Sequence, residues 1–297
     1  MNLLLAAVGF SLVTAATSGL AAIGFNLQFS VSNVFNMAYG AMLLLANYVA
    51  YAFSQRIGLE FWASVVVALA VSGLFAAAVS RFVIGPFVRR GASPFVLMIV
   101  TFGLATMLEY GLQAAFGVTP FTLHFGGGGT ALQAGLFHLT YAQVVVMIIA
   151  IAITMALIAV MRRTRMGIAI RAIVDDRSLA GASGVPTIQL TTLAWLISGI
   201  MIGVAGLAVA ASTNSVGAGM ADNELLIVIP AAMLGGLGSI WGAVVGALVI
   251  GLVDNVWAVY MGSQYELLAG LLVLIVVLLF RPGGIAGVLS AGFGGGA

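Results

Sequence analysis

Tyr141-Ala-Gln-Val-Val-Val-Met-Ile-Ile-Ala-Ile-Ala-Ile-Thr-Met-Ala-Leu-Ile-Ala-Val-Met161 is followed at once by Arg162 and Arg163. No charge interrupts the stretch, and as a helix it reaches about 30 Å, the depth of a bilayer's hydrocarbon layer. Working outward, the same pattern recurs over 3–25, 34–54, 60–84, 94–116, 190–212, 240–258 and 265–280. A shorter apolar segment, 225–234, contains Pro230 and runs into Gly235 and Gly236, so it is too short to cross alone. The expectation is an all-α polytopic transmembrane bundle of about eight spans plus one re-entrant or broken half-helix. One membrane domain covers 1–282, and a Gly-rich tail covers 283–297.

Composition closes off other classes. The chain is 63% hydrophobic and 6% charged over 297 residues. Soluble domains run at about 45–50% and about 25%. A soluble fold of this size could not hide that much apolar surface, so lipid is the expected solvent. All ten basic residues are Arg, and there is no Lys. Ten dispersed Arg make no nucleic-acid footprint. With no Cys there is no disulfide framework or thiolate metal site. His124 and His138 lack a third ligand at metal-binding spacing, so no metal is expected. No Lys or Arg precedes Arg56, so the first apolar segment is read as a retained helix rather than a cleaved signal.

The Arg residues set an orientation. Arg81, Arg89 and Arg90 flank one loop, Arg162, Arg163, Arg165, Arg171 and Arg177 crowd another, and Arg281 closes the last span. The positive-inside rule places these in the cytoplasm with the C-terminus, and places 117–140 and 213–224 outside. Arg56, beside Glu60, is the exception on the outer side.

Three segments interrupt the apolar runs. Asn26-Leu-Gln-Phe-Ser-Val-Ser-Asn-Val-Phe-Asn-Met-Ala-Tyr-Gly40 gathers amides and hydroxyls between two spans. Such groups are costly in lipid, so they face protein or water. Either a broken helix lines a solute path here, through Asn33, Asn36, Tyr39 and Gly40, or this is an ordinary polar turn. The second segment runs from Ile229 to Gly246, where Pro230, Gly235, Gly236, Gly238 and Ser239 break the helix. Gly242 and Gly246, like Gly199, Gly203 and Gly206, read as helix-packing positions. Interrupted segments in both halves of a membrane chain point to a transport site. The third, Arg162 to Pro186, carries Asp175, Asp176 and Arg177 before a short helix over 178–182, with Gly184 as its stop. Leu179, Ala182 and Val185 would form a small apolar ridge suited to a docked partner, against the alternative of a solvated Arg loop.

Together these segments resemble the membrane permeases of ABC importers for branched-chain amino acids, amides and urea. The resemblance runs along nearly the whole chain in order. It includes Asn33-Val-Phe-Asn-Met-Ala-Tyr-Gly40, the loop 162–186, Met233 to Gly246, and Phe280-Arg-Pro-Gly-Gly284. Where many members carry His, Gly and an acidic residue, this chain reads Tyr39-Gly40-Ala41. The resemblance implies two permeases around a pore, two cytoplasmic ATPases that consume ATP, and an external solute-binding protein. Arg171, Asp175, Asp176, Arg177, Leu179 and Gly184 would seat in the ATPase, and no cofactor is bound by this chain. The residues agree on one point: a Walker A loop needs a Lys, and this chain has none, so Gly126 to Gly129 is no phosphate cradle. The rival reading is a gradient-driven secondary transporter, which needs more buried ionisable groups than Glu109 and Asp254 supply.

Overall fold

The computed structural model describes residues 2–123, 130–134, 137–217, 219–262, 265–280 and 284. Almost all of the tail 283–297, together with Arg281, His124 and Gly126 to Gly129, lies outside the described residues. α1 (Asn2–Ser32) leads through an irregular stretch to α2 (Tyr39–Tyr51), which ends in a π-helical turn, Ala52–Arg56. α3 (Phe61–Ala78) passes through a second π-helical turn, Val79–Ile84, into α4 (Gly85–Arg89). α5 (Pro94–Phe116) starts at Ser93, whose hydroxyl accepts the Val96 N–H, with Pro94 at its first position. A two-stranded antiparallel hairpin, β1 (Thr130–Ala134) and β2 (Phe137–Thr140), adds a small β element to the expected all-α bundle.

α6 (Tyr141–Arg163) is the stretch quoted first. Two short helices follow, α7 (Arg165–Asp175) and α8 (Arg177–Ala182), then α9 (Thr187–Thr213), α10 (Met220–Gly235), α11 (Ile240–Met261) and α12 (Glu266–Phe280). Among the described residues, six helices are long and apolar enough to cross a membrane. α2, α10 and α12 are shorter.

Small residues decide which helices touch. A Cβ on Gly199 would strike Ala76 and the Ser72 carbonyl, and the Ser72 hydroxyl donates to the Gly199 carbonyl at 2.8 Å. Thus α3 lies against α9. A Cβ on Gly206 would meet the Leu43 carbonyl at 2.9 Å, which brings in α2. Gly19 meets the Ala247 side chain and Gly251 packs on Ser11 and Ala15, so α1 and α11 run antiparallel, and the Asn255 amide donates to the Thr14 hydroxyl. Gly235 abuts the Gly242 backbone and Gly246 abuts the Ala231 carbonyl. That pairing makes α10 and α11 a tight hairpin, as the small-residue face of α11 suggests. α1 and α9 form the centre: 78% and 72% of their most apolar windows are buried, against 17% for α5.

The segment 34–54 is not one helix, and the polar stretch is not broken throughout. α1 continues past Asn26 to Ser32 before Asn33 turns the chain at a φ of 51°. The Tyr39 hydroxyl then donates to the Ala21 carbonyl at 3.0 Å. Ala21 lies eleven residues before the end of α1, about 16 Å along a helix. The chain has therefore folded back into the bundle, and α2 starts inside it.

Candidate functional site

Two breaks and the Arg-rich segments converge at one end of the bundle. The first break, 33–38, is held by side chains. The Asn36 amide oxygen accepts the Ala38 N–H at 3.0 Å. The Thr101 hydroxyl of α5 accepts the Met37 N–H at 3.1 Å and lies 3.2 Å from the Phe35 carbonyl, to which it can donate. The second break, 236–239, turns on glycines and is braced by two side chains. Gly236 and Gly238 have φ of 100° and 93°, a region that side chains avoid. The Ser239 hydroxyl accepts the Gly242 N–H at 3.0 Å and so caps α11.

Asn26 joins the two halves. Its amide donates to the carbonyls of Gly236 (3.2 Å) and Ser239 (3.1 Å), more than two hundred residues away. This pairing explains why α1 does not break at Asn26: its amide N–H groups are answered by another element rather than by water, while its buried amide oxygen has no partner among the described residues.

The Arg-rich segment reaches the same place. The Asp176 carboxylate accepts the N–H groups of Ser178 (2.8 Å) and Leu179 (2.9 Å), capping α8. The Ser178 hydroxyl, which also donates to it, and then these two N–H groups hold the carboxyl below the usual Asp range. Gly184 stops the helix at a φ of 84°. Leu179 is 64% exposed, and Ala182 is exposed beside it. The Arg177 guanidinium donates to the Val31 carbonyl at 2.9 Å, next to the first break. A cavity of about 380 Å³ is lined by Asn33, Val174, Arg177 and Gly238. A second, of about 400 Å³, is lined by Arg162, Arg171, Asp175, Gly238 and Ser239. Among the residues expected for the pathway and for coupling, Asn33, Gly238, Ser239, Arg171, Asp175 and Arg177 therefore share this region.

The remaining expected pathway residues sit differently. Asn36, Tyr39 and Pro230 are buried within the bundle. Gly235 is also buried, and a Cβ on it would meet the Gly242 backbone. Gly40 lies against the Ala221 carbonyl, so the starts of α2 and α10 meet inside the protein. From there α2 runs to the end where Arg56 stacks on Phe116, and α10 runs to Gly236 at the Arg-rich end.

Beside that meeting point is a feature the sequence reading did not assemble. The Glu109 carboxylate of α5 accepts a hydrogen bond from the Gly219 backbone and lies near Asp222 in the first turn of α10. The Gln113 amide also donates to Glu109, at 3.3 Å. The available signal was the pair Asp222 and Glu224 placed immediately before a short apolar segment. The reading also missed α7, whose Gly167, Ile170 and Ile173 recur at helical spacing and are buried.

Comparison with known proteins agrees with this architecture. The family model described as "Branched-chain amino acid transport system / permease component" matches residues 7–280. The chain is 28% identical over 284 residues to the "Probable branched-chain amino acid transport permease protein LivH" of Methanocaldococcus jannaschii, covering 91% of this chain and 88% of that one. It is 26% identical to the high-affinity branched-chain amino acid transport system permease protein LivH of Escherichia coli K12, over 92% of each chain. It is 24% identical to BraD of Pseudomonas aeruginosa, a permease protein of the same kind of system, over 93% of each. The chain thus belongs to the family of branched-chain amino acid transport system permease components.

Proposed function

We propose that the chain is the permease subunit of an ABC-type importer that carries a small polar solute into the cytoplasm by alternating access. The solute is a branched-chain or other amino acid, an amide or urea. The chain sits in the bacterial inner membrane with its Arg-rich end and C-terminus cytoplasmic. A second permease, the same or a paralogue, completes the pore. An external binding protein delivers the solute, and separate ATPase subunits use the ATP, while this chain binds no cofactor.

The observation that carries the reading is the bond from Arg177 to Val31. It connects a capped, exposed helix to the end of α1, and Asn26 connects α1 to the second break. An ATPase seated on Leu179 and its neighbours would displace α8, and the displacement would pass to both breaks. The loosened breaks would then let α2 and α10 separate where they meet. The start of α2 carries no acidic residue, and the positive end of a helix dipole favours a carboxylate. Glu109 and Asp222 beside it offer the negative charge that an ammonium group needs. A zwitterionic solute matches that pairing.

The test is reconstitution into vesicles. Labelled leucine should accumulate only when ATP and the co-purified ATPase are present. Uptake by this chain alone, abolished by a protonophore, would overturn the reading in favour of a gradient-driven transporter. Asp222→Asn should raise KM for the amino acid without changing retention of the ATPase. The double change Asp176→Arg with Leu179→Arg should release the ATPase while the permease still inserts.

A further inference from the structure

At the Arg-rich end, apart from the cavities beside the breaks, a third cavity of about 70 Å³ lies between the π-helical turn 79–84, α4 and the start of α9. Ser80, Arg81, Arg89, Arg177, Thr192 and Trp195 are among its lining residues, and no Asp or Glu lines it. Three Arg residues therefore line one small space with no carboxylate among its lining residues. Its volume is several times what a single water needs. Arg177 spends one N–H on the Val31 carbonyl and keeps the others. The hydroxyl of Thr192 is committed to the Ile188 carbonyl, which leaves the Ser80 hydroxyl, the guanidinium groups and one more donor on offer.

That remaining donor is the independent observation. Trp195 is fully buried, it lines this cavity, and its indole N–H has no hydrogen-bond partner. A buried N–H without an acceptor is rare and costly. Its residue belongs to the wall of a space that three Arg residues also line, and an acceptor carrying negative charge would answer both.

We infer that this cavity binds a phosphate oxyanion, held by Arg81, Arg89 and Arg177 and by the indole N–H of Trp195. Arg forks match phosphate oxygens in pairs. The rim favours a lipid headgroup over free phosphate as the source. Phe82 is 76% exposed next to Arg81, and Val88 and Ile188 on the cavity wall are 38% and 47% exposed. Apolar side chains that face lipid beside Arg heads suit acyl chains below a phosphodiester. An occupant would also fix the Arg177 guanidinium, and with it the tie from α8 to α1. The site goes beyond the transport reading and does not depend on which solute is carried.

Native mass spectrometry of the full-length chain in mild detergent tests it, with phosphatidylglycerol, phosphatidylcholine and inorganic phosphate as probes. Phosphatidylglycerol should stay bound under activation that strips phosphatidylcholine. R81Q/R89Q should lower its occupancy about tenfold, and R81K/R89K should lower it less. If millimolar phosphate displaces the lipid and changes the fluorescence component that W195F removes, the oxyanion site stands and free phosphate is its source. Equal retention of the two lipids, insensitive to R81Q/R89Q, overturns the inference. Should the Gln variant lose its fold, W195F serves instead: weaker phosphatidylglycerol binding supports the site, and unchanged binding overturns it.

Discussion

The two breaks solve one problem with opposite means. At 33–38 the chain turns on an Asn, and its polar groups are answered by the side chains of Asn36 and Thr101. At 236–239 it turns on glycines, and the answering groups are backbone atoms, the Ser239 cap and the Asn26 amide. A break written in side chains fails when polarity is removed. A break that turns on glycines also fails when volume is added. The difference separates the substitutions each can bear.

The largest effect is therefore expected beside the second break. Gly235→Val places a side chain where the Gly242 backbone already lies. Overpacking a close helix pair costs about 3 kcal/mol. The variant should aggregate on size-exclusion chromatography in detergent, or unfold at a markedly lower temperature. A monodisperse variant of unchanged thermal midpoint would show that α10 and α11 are not clamped there.

Asn26→Ala comes next, because it touches the second break without adding volume. The carbonyls of Gly236 and Ser239 each lose one of two donors, keeping the N–H groups of Ser239 and Ala243, and each lost hydrogen bond costs about 1 kcal/mol. A fall in thermal midpoint is expected, together with faster proteolysis near 236–239. Adding Gly236→Val should give less than the sum of the two effects if Asn26 acts only on this break.

Thr101→Val probes the first break at nearly constant shape. The Met37 N–H loses its acceptor, and the expected cost is about 1 kcal/mol. Asn33→Gly, at the left-handed turn, should be nearly neutral, because Gly occupies that backbone region more easily. If Thr101→Val proved silent and Asn33→Gly disruptive, the contrast between the breaks would have been drawn the wrong way round.

Much of this was legible in the chain. The apolar runs gave the helices, because lipid forces backbone groups to pair within a segment. Asp176 and Gly184 gave both ends of α8, since capping is local chemistry. Gly242 and Gly246 read as packing positions, and both meet α10. Legibility stopped where a partner lay far along the chain. Asn26 looked like part of a break because nothing near it in sequence could satisfy an amide. Apolarity also could not tell α1 from α5, although one is central and the other lies mostly on the outside. The meeting of Gly40 with Ala221 is of the same kind, set by how two short helices stack rather than by either segment.

The smallest effect concerns α8, the element proposed to work on both breaks. Asp176 caps α8 as a carboxylate, and its hydrogen bonds lower its pKa in the folded state. A lowered pKa means the stabilisation is present above the unfolded Asp value, near 4, and is lost as pH falls through the folded one. Docking through α8 should then be flat from pH 5 to 8 and weaken only in stronger acid. Asn caps a helix about as well as Asp and does not titrate there. Asp176→Asn should thus keep the partner bound at neutral pH and remove the contribution of this cap to acid release, measured by co-purification across pH. If the Asn variant lost its partner at pH 7, the carboxylate would have a contact beyond the cap, and α8 would be gripped by charge rather than by its apolar ridge.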